Sequence, residues 1–347
     1  MDIKQFVENE RIKYNLKGLI MCISCDNYKE IFVSGNSMSS VPTNENMHYR
    51  IGGQSIPILT TLFLILVDKG YLSLTETIET YLPNVPNCDK IELQMLCNMT
   101  SGLPDVILDP IVNSNTDMFK QWTNKELLNI IYNMKQLFPP GEKFYFGHVT
   151  NILLLCSVIK IKMKTSIKKL IKKYIFDVLN LKDTYYSSKQ VIQHPVFHSF
   201  TNYRIPCYED STYWNGSWGA YTTNMSSTAS DVNILAKNIG NGKLISKKLY
   251  NIQMCNMLNN DSLYYGMGLA VGGFGLDYLK SEDYPHTIIW TDQNYLGYLG
   301  IWAFIPAFDI TINIQTNTDN CDNFSIKYIL QNFIDSDIFK NKKIDHS

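Results

Sequence analysis

The sequence has almost no net charge: 31 lysines and arginines stand against 32 aspartates and glutamates, a balance of -1 at pH 7. Binding nucleic acid through bulk charge needs a basic excess or a concentrated basic face, so the composition offers no nucleic-acid partner. Long hydrophobic runs are missing too. The longest, residues 56–67, contains Pro57, Thr60 and Thr61, and it falls short of the roughly 18–20 apolar residues that cross a bilayer, so no transmembrane segment is expected. Residues 1–15 are charged and lack an apolar core, which reads as no signal peptide and a cytoplasmic or otherwise non-secreted protein. There is neither an internal repeat nor a low-complexity linker.

Cysteine is present without a pattern. The eight cysteines are scattered and read as buried free thiols of a reducing compartment rather than a disulfide framework. Cys22 and Cys25 form one C-x-x-C, but on a strand their side chains point to opposite faces, against a redox or zinc role. His194 and His198, with Cys207, Glu209 and Asp210 downstream, match no established zinc spacing, and Pro195 disfavours a helical turn between them. Gly272-Gly273-Phe274-Gly275 lacks the Gly-Lys pair of a phosphate loop and reads as a turn or bulge. No metal and no cofactor are expected.

The rest is ordinary globular material. Of 347 residues, 45% are hydrophobic and 18% charged, which sets one large unit or two interleaved ones. Heavy use of Asn, Ile and Lys points to an AT-rich genome. Ile3, Phe6, Val7 and Ile12 predict an opening helix, and β-rich runs at 18–24 and 30–34 flank the turn-forming Asp26-Asn27. A helix should begin close to Gly53 and run through 54–66, because Pro57 is tolerable only in a first turn. Helical periodicity recurs at 91–98, 124–134 and 149–159. In 165–179, apolar Ile167, Leu170, Ile171, Tyr174 and Ile175 oppose Lys168, Lys169, Lys172 and Lys173, which reads as a solvated face on a packed helix in preference to an anionic-membrane site. Strands are predicted at 287–291, 300–305 and 309–315, and a closing helix at 324–333. This pattern gives an α/β chain: an antiparallel sheet flanked by terminal helices, in a discontinuous domain of residues 1–60 plus 240–347, with residues 61–239 inserted as a mainly helical domain.

Four landmarks then occur in one order: Tyr49-Arg50-Ile51-Gly52, Asp68 to Leu74, Tyr81-Leu82-Pro83, and Met99-Thr100-Ser101-Gly102-Leu103-Pro104. With Pro140 to Phe144, Phe176 to Thr184, Ser227 to Asp231, Tyr265-Gly266-Met267-Gly268 and Ile310 to Asn317, they resemble the serine β-lactamase and penicillin-binding protein superfamily over almost the whole chain, especially its class C, DD-peptidase and esterase branch. The resemblance implies a β-lactamase/DD-peptidase-like fold with a cleft between sheet and helices. It also implies a Ser-x-x-Lys at a helix start, a Tyr-x-Asn, and a Lys or His followed by x-Gly, which together supply nucleophile, proton shuttle and acyl-orienting wall.

Counting back from Gly70 or forward from Ile51-Gly52 places the family nucleophile at Gly53 and its lysine at Ile56. Glycine has no attacking atom, and isoleucine neither gives nor takes a proton. The Tyr-x-Asn falls on Phe146-Gly147-His148, and the third motif on Thr291-Asp292-Gln293. The favoured reading is therefore a non-catalytic relative, a pseudoenzyme that keeps a cleft for a small carbonyl or carboxylate ligand, cradled by the Gly53 N–H and an N–H of residues 291–294. A second reading is a hydrolase with relocated chemistry, using Ser55 as nucleophile and His148 as base with Tyr145 or Asp292 in support. A third is a structural or interaction subunit, since aromatics make up 12% of the chain, including 22 Tyr. Residues 214–221, rich in Gly and aromatics, are expected to form a lip of the cleft.

Overall fold

Alternation with a period of two decides the sheet. A computed structural model describes residues 2–25, 28–113, 117–189, 191–255, 265–271, 287–319 and 324–344, the last four by backbone alone. Among the described residues seven strands form one antiparallel sheet: β1 (Gly18–Cys25), β2 (Tyr28–Met38), β3 (Val41–Pro42), β4 (Ala270–Val271), β5 (Ile289–Tyr295), β6 (Tyr298–Ile305) and β7 (Ile310–Thr316). Their spatial order is β3-β2-β1-β7-β6-β5-β4. The β1–β7 register sets Cys22 opposite Asn313, and the β5–β6 register sets Gln293 opposite Gly300.

Because successive side chains point to opposite faces, each central strand serves two cores. Leu19, Met21 and Ile23 of β1 join Ile301, Ile312 and Ile314 on one face, with Ile3, Phe6 and Val7 of α1 (Ile3–Lys13) and Ile329, Leu330 and Phe333 of α6 (Lys327–Asp335). The rings of Phe6 and Phe333 meet edge to face at 5.4 Å. Ile20, Cys22, Trp302 and Phe304 face the other way, into the larger core shared with the inserted helices. The terminal helices thus cover one face, as the apolar spacing at both chain ends predicts.

The inserted region is organised by α2 (Ile56–Asp68), whose residues from Ile56 to Leu66 are all buried. A helix apolar on every side can only be central. Pro57 sits in its first turn, and Gly70, at φ +72°, follows its end in the left-handed conformation. Packed on α2 are α3 (His148–Met163) and α4 (Ile167–Ile171), while α5 (Ala229–Gly240) lies on the sheet. At that crossing a Cβ on Gly240 would come within 2.6 Å of the Phe304 ring, so glycine sets the close approach. The segment predicted as one helix over 165–179 is α4 followed by a π-turn, Lys172–Phe176, and the helix predicted over 91–98 is confined to Leu93–Cys97.

Among the described residues no helix is long and apolar enough to cross a membrane. Cys22 and Cys25 do belong to the two different cores, and burial pushes the Cys22 thiol up to about 12. The expectation of uniformly buried thiols needs correcting: Cys88 is half-buried, and Cys207 and Cys255 are exposed. Cys255 caps the helix Lys247–Met254 and Cys207 lies in the loop between the short strands Phe200–Thr201 and Glu209–Asp210, positions that scattered spacing does not reveal. The Asp26-Asn27 turn, the 272–275 segment and Cys321 lie outside the described residues.

Candidate functional site

The turn Gly52–Ser55 leads into α2 and lies directly against β5. A Cβ on Gly53 would stand 2.9 Å from the Asp292 carbonyl oxygen, and one on Gly52, at φ +38°, would stand 2.6 Å from Gln293 Oε1. Two glycines are therefore what lets strand and turn approach this closely. The joint is hydrogen-bonded: Gln293 Nε2 donates to the Arg50 carbonyl at 2.9 Å and to Gln315 Oε1 at 2.8 Å. Beneath it, Asn313 Nδ2 donates to the Tyr49 hydroxyl at 3.0 Å. Ile56, one turn into the helix, is 2% exposed and belongs to the large core.

Ser55 is fully buried, and its hydroxyl donates to the Thr222 carbonyl at 2.7 Å. His148 opens α3, where its Nδ1 comes within 3.2 Å of Asp105 Oδ2 without the alignment of a hydrogen bond, and its ring stacks on Phe146 at 4.9 Å. The half-exposed Phe146 ring also meets Tyr265 edge-on at 5.8 Å. Tyr145 is half-buried, its N–H donating to the Met99 carbonyl at 3.0 Å. Asp292 lies on the opposite face of β5 from Thr291 and Gln293, paired with Lys327 of α6 at 3.1 Å. Thr291 is half-buried opposite Trp302. The fold gathers Gly53, Gln293 and the backbone of Asp292 around one strand crossing and stacks Phe146 on His148, while the side chains of Ser55 and Asp292 are engaged elsewhere.

Two elements here are not in the sequence reading, and a third, Tyr265, stands there only as part of a landmark. Asp105, 3% exposed, accepts the N–H groups of Val149 and Thr150 at 3.3 and 3.4 Å, so its carboxylate faces the positive end of α3. The signal was available in its place after the Leu103-Pro104 landmark. Removing it by Asp105→Ala is expected to cost about 1–2 kcal/mol, read as a lower urea midpoint at unchanged m. Tyr265 is buried against Phe144 and Phe146, and that burial raises its phenol well above the ordinary range, which keeps it a neutral hydroxyl.

The other new element is a cavity of about 440 Å³ at the end of β5, lined by Leu108, Met118, Trp122, Trp218, Asn294 and Leu296 among others. The Trp218 ring lies 5.5 Å from that of Tyr295, and a Cβ on Gly52 would be 3.0 Å from Tyr295 Cβ, so Tyr295 stands between the cavity wall and the strand crossing. Trp214 and Trp218, from the segment expected to form a lip, line this cavity. Asp319 supplies acid at the cavity wall, with Oδ2 accepting the Gly297 N–H at 3.1 Å. Burial raises its carboxyl, opposed by hydrogen bonds from Thr201 and the Gly297 backbone. A larger basin of about 720 Å³, lined by Lys29, Glu45, His48 and Asp183, lies instead beside β2, on the far side of the sheet order. Among the described residues no three His, Cys, Asp or Glu side chains are grouped to hold a metal.

An antiparallel sheet with terminal helices on one face and a helical insertion on the other, its first inserted helix starting under a strand, defines the class: the fold of serine β-lactamases and penicillin-binding proteins. The Beta-lactamase family model matches residues 3–329, and the chain belongs to that family. The D-amino acid amidase of Ochrobactrum anthropi SV3, solved in complex with L-phenylalanine amide, superposes with a TM-score of 0.83 at 17% identity, covering 99% of this chain and 98% of that one. A D-stereospecific amidohydrolase from Streptomyces sp. gives a TM-score of 0.80 at 19% identity over 91% of this chain and 93% of its own. In sequence, a penicillin-binding protein of Bacillus subtilis (strain 168) is 26% identical over 145 residues, 41% of this chain and only 31% of that protein's length.

Proposed function

We propose that this member of the family binds small carbonyl or carboxylate compounds in its cleft and does not form an acyl-enzyme. The observation that carries the reading is the strand crossing: the position read as the nucleophile is Gly53, packed against the Asp292 carbonyl, and the position read as its lysine is the buried, aliphatic Ile56. Phe146 and Thr291, at the positions read as the tyrosine and the third-motif cation, are equally without an ionisable group. These changes are mutually consistent. Losing one partner of a buried charged set strands the others at a cost of several kcal/mol, whereas losing them together leaves a neutral floor.

What remains suits recognition. The N–H of Gly53 and one from β5 can hold a carbonyl or carboxylate oxygen, and the cavity walled by Trp122, Trp218 and Met118 can take an aromatic group beside it. That the Ochrobactrum amidase has been solved with D-phenylalanine and L-phenylalanine amide makes an aromatic amino acid or its amide the first ligand to try. Intact-mass analysis after exposure to a fluorophosphonate probe or benzylpenicillin is expected to show unmodified protein, while calorimetry with D-phenylalanine amide gives saturable binding lost in Trp218→Ala. Stoichiometric covalent labelling would overturn the reading.

A hydrolase with relocated chemistry is favoured by one fact, that the structural neighbours are named as amidases and hydrolases. It requires Ser55 to leave the Thr222 carbonyl and reach His148. Equal ester hydrolysis by wild type and Ser55→Ala would remove it.

A further inference from the structure

The chain is close to neutral as a whole, yet seven lysines fall between residues 160 and 173 with no aspartate or glutamate from 157 to 176. The fold puts them together. Lys160 and Lys162 lie in the last turn of α3 and Lys164 caps its end, Lys168 and Lys169 lie on α4, and Lys172 and Lys173 on the π-turn that follows. All seven are exposed. Because α4 packs on both α2 and α3, the end of α2 joins the same surface: Lys69 and Lys173 sit over the Tyr174 ring at 5.4 and 4.9 Å. Among the described residues, Glu76 stands 3.9 Å from Lys162 and Asp177 beside Lys172, and the exposed Asp68 precedes Lys69.

Two further features distinguish it from an ordinary solvated helix face. Ile161, between Lys160 and Lys162 in sequence, and Val178, five residues after Lys173, are exposed aliphatic side chains at 47% and 63%. The cations are all lysine, with no arginine from 157 to 182. Arginine supplies the planar fork that fixes individual phosphates, whereas lysines on flexible stems suit a diffuse sheet of anionic headgroups, and aliphatics beside them enter the headgroup–acyl boundary. We infer that this lysine face docks the protein on membranes containing anionic lipid. The chemistry is that of a peripheral contact, electrostatic attraction supplemented by shallow apolar insertion. It is independent of what occupies the cleft.

Co-sedimentation with vesicles of phosphatidylcholine, with and without 30% phosphatidylserine, tests it. At low salt, binding is expected only to the anionic vesicles, falling more than tenfold at about 0.5 M NaCl, where the Debye length shortens to a few ångströms. The variant Lys168→Glu/Lys169→Glu/Lys172→Glu/Lys173→Glu is expected to lose binding more than tenfold while keeping the wild-type circular dichroism. Ile161→Asp/Val178→Asp, which leaves every lysine in place, is expected to weaken it several-fold, so a folding failure in one variant does not decide the question. No binding to anionic vesicles at low salt would overturn the inference. So would undiminished binding by both variants, or displacement of vesicles by polyuridylate at equal phosphate, which would make the face a nucleic-acid surface.

Discussion

Replacing Ile56 by lysine, the residue type read from the family at that position, is expected to destabilise the fold by about 4–5 kcal/mol at pH 7 and by only about 1 kcal/mol at pH 9.5. The position is 2% exposed within the large apolar core. A lysine forced into such surroundings has its folded pKa depressed by up to about 3–5 units, since burial disfavours the charged form. The ordinary value is about 10.4, and each unit of displacement is worth about 1.4 kcal/mol. The sign follows from proton counting. Below pH 10.4 the unfolded chain binds a proton that the folded chain refuses, so the penalty grows as pH falls and vanishes once both states are neutral. Against a total stability of about 5–15 kcal/mol, the effect at pH 7 is large enough to unfold the variant, and for that reason urea titrations at both pH values are needed. A difference below about 1.5 kcal/mol and independent of pH would mean that the floor of the cleft is already polar and wet, and would weaken the case for a site that has lost its ionisable groups.

Much of this arrangement was legible in the sequence because it rests on periodicity. Ile310, Ile312 and Ile314 alternate with Thr311, Asn313 and Gln315, and the fold buries the first set under α1 and α6 and turns Asn313 toward Tyr49. Pro57 placed a helix start close to Gly53, where a 3-10 turn, Gly52–Ser55, precedes the α-helix that begins at Ile56. Strand β5 was not fully legible: 287–291 was predicted where Ile289–Tyr295 is found. Asp292, Gln293 and Asn294 are poor strand formers, held extended by the ladder to β6 and by the side-chain bonds of Gln293. The lysine run at 168–173 was visible as a charged face, but not its union with Lys69 and the end of α3, which depends on how three helices pack. The partner of Asp105 and the Trp-walled cavity were illegible for the same reason. The carboxylate meets α3 about forty residues further on, and the cavity is built from 107–122, 214–218 and 294–296, segments that no local pattern connects.

Introducing a hydroxyl at the helix start is expected to leave the protein without turnover: Gly53→Ser, alone or with Phe146→Tyr, should hydrolyse p-nitrophenyl esters and D-phenylalanine amide at the uncatalysed rate. The gap from an assembled serine hydrolase is about a millionfold in kcat, so the assay has a wide margin. The first obstacle is space. The new Cβ would lie 2.9 Å from the Asp292 carbonyl, so β5 must shift, at a cost of about 1–3 kcal/mol, seen as faster amide exchange along residues 289–295. The second is the proton. A serine hydroxyl attacks only when a base within about 2.6–3.2 Å takes its hydrogen, and one turn away stands Ile56. His148 faces Asp105 and lies flat on Phe146, and Tyr265, kept neutral by burial, is not a phenolate that could take the proton. A hydroxyl without a base is a poor nucleophile at neutral pH, however well a carbonyl is held beside it. Burst release of p-nitrophenol from Gly53→Ser, together with a stable acyl adduct by mass, would contradict this. It would show that a base already faces the helix start and that the nucleophile alone is missing.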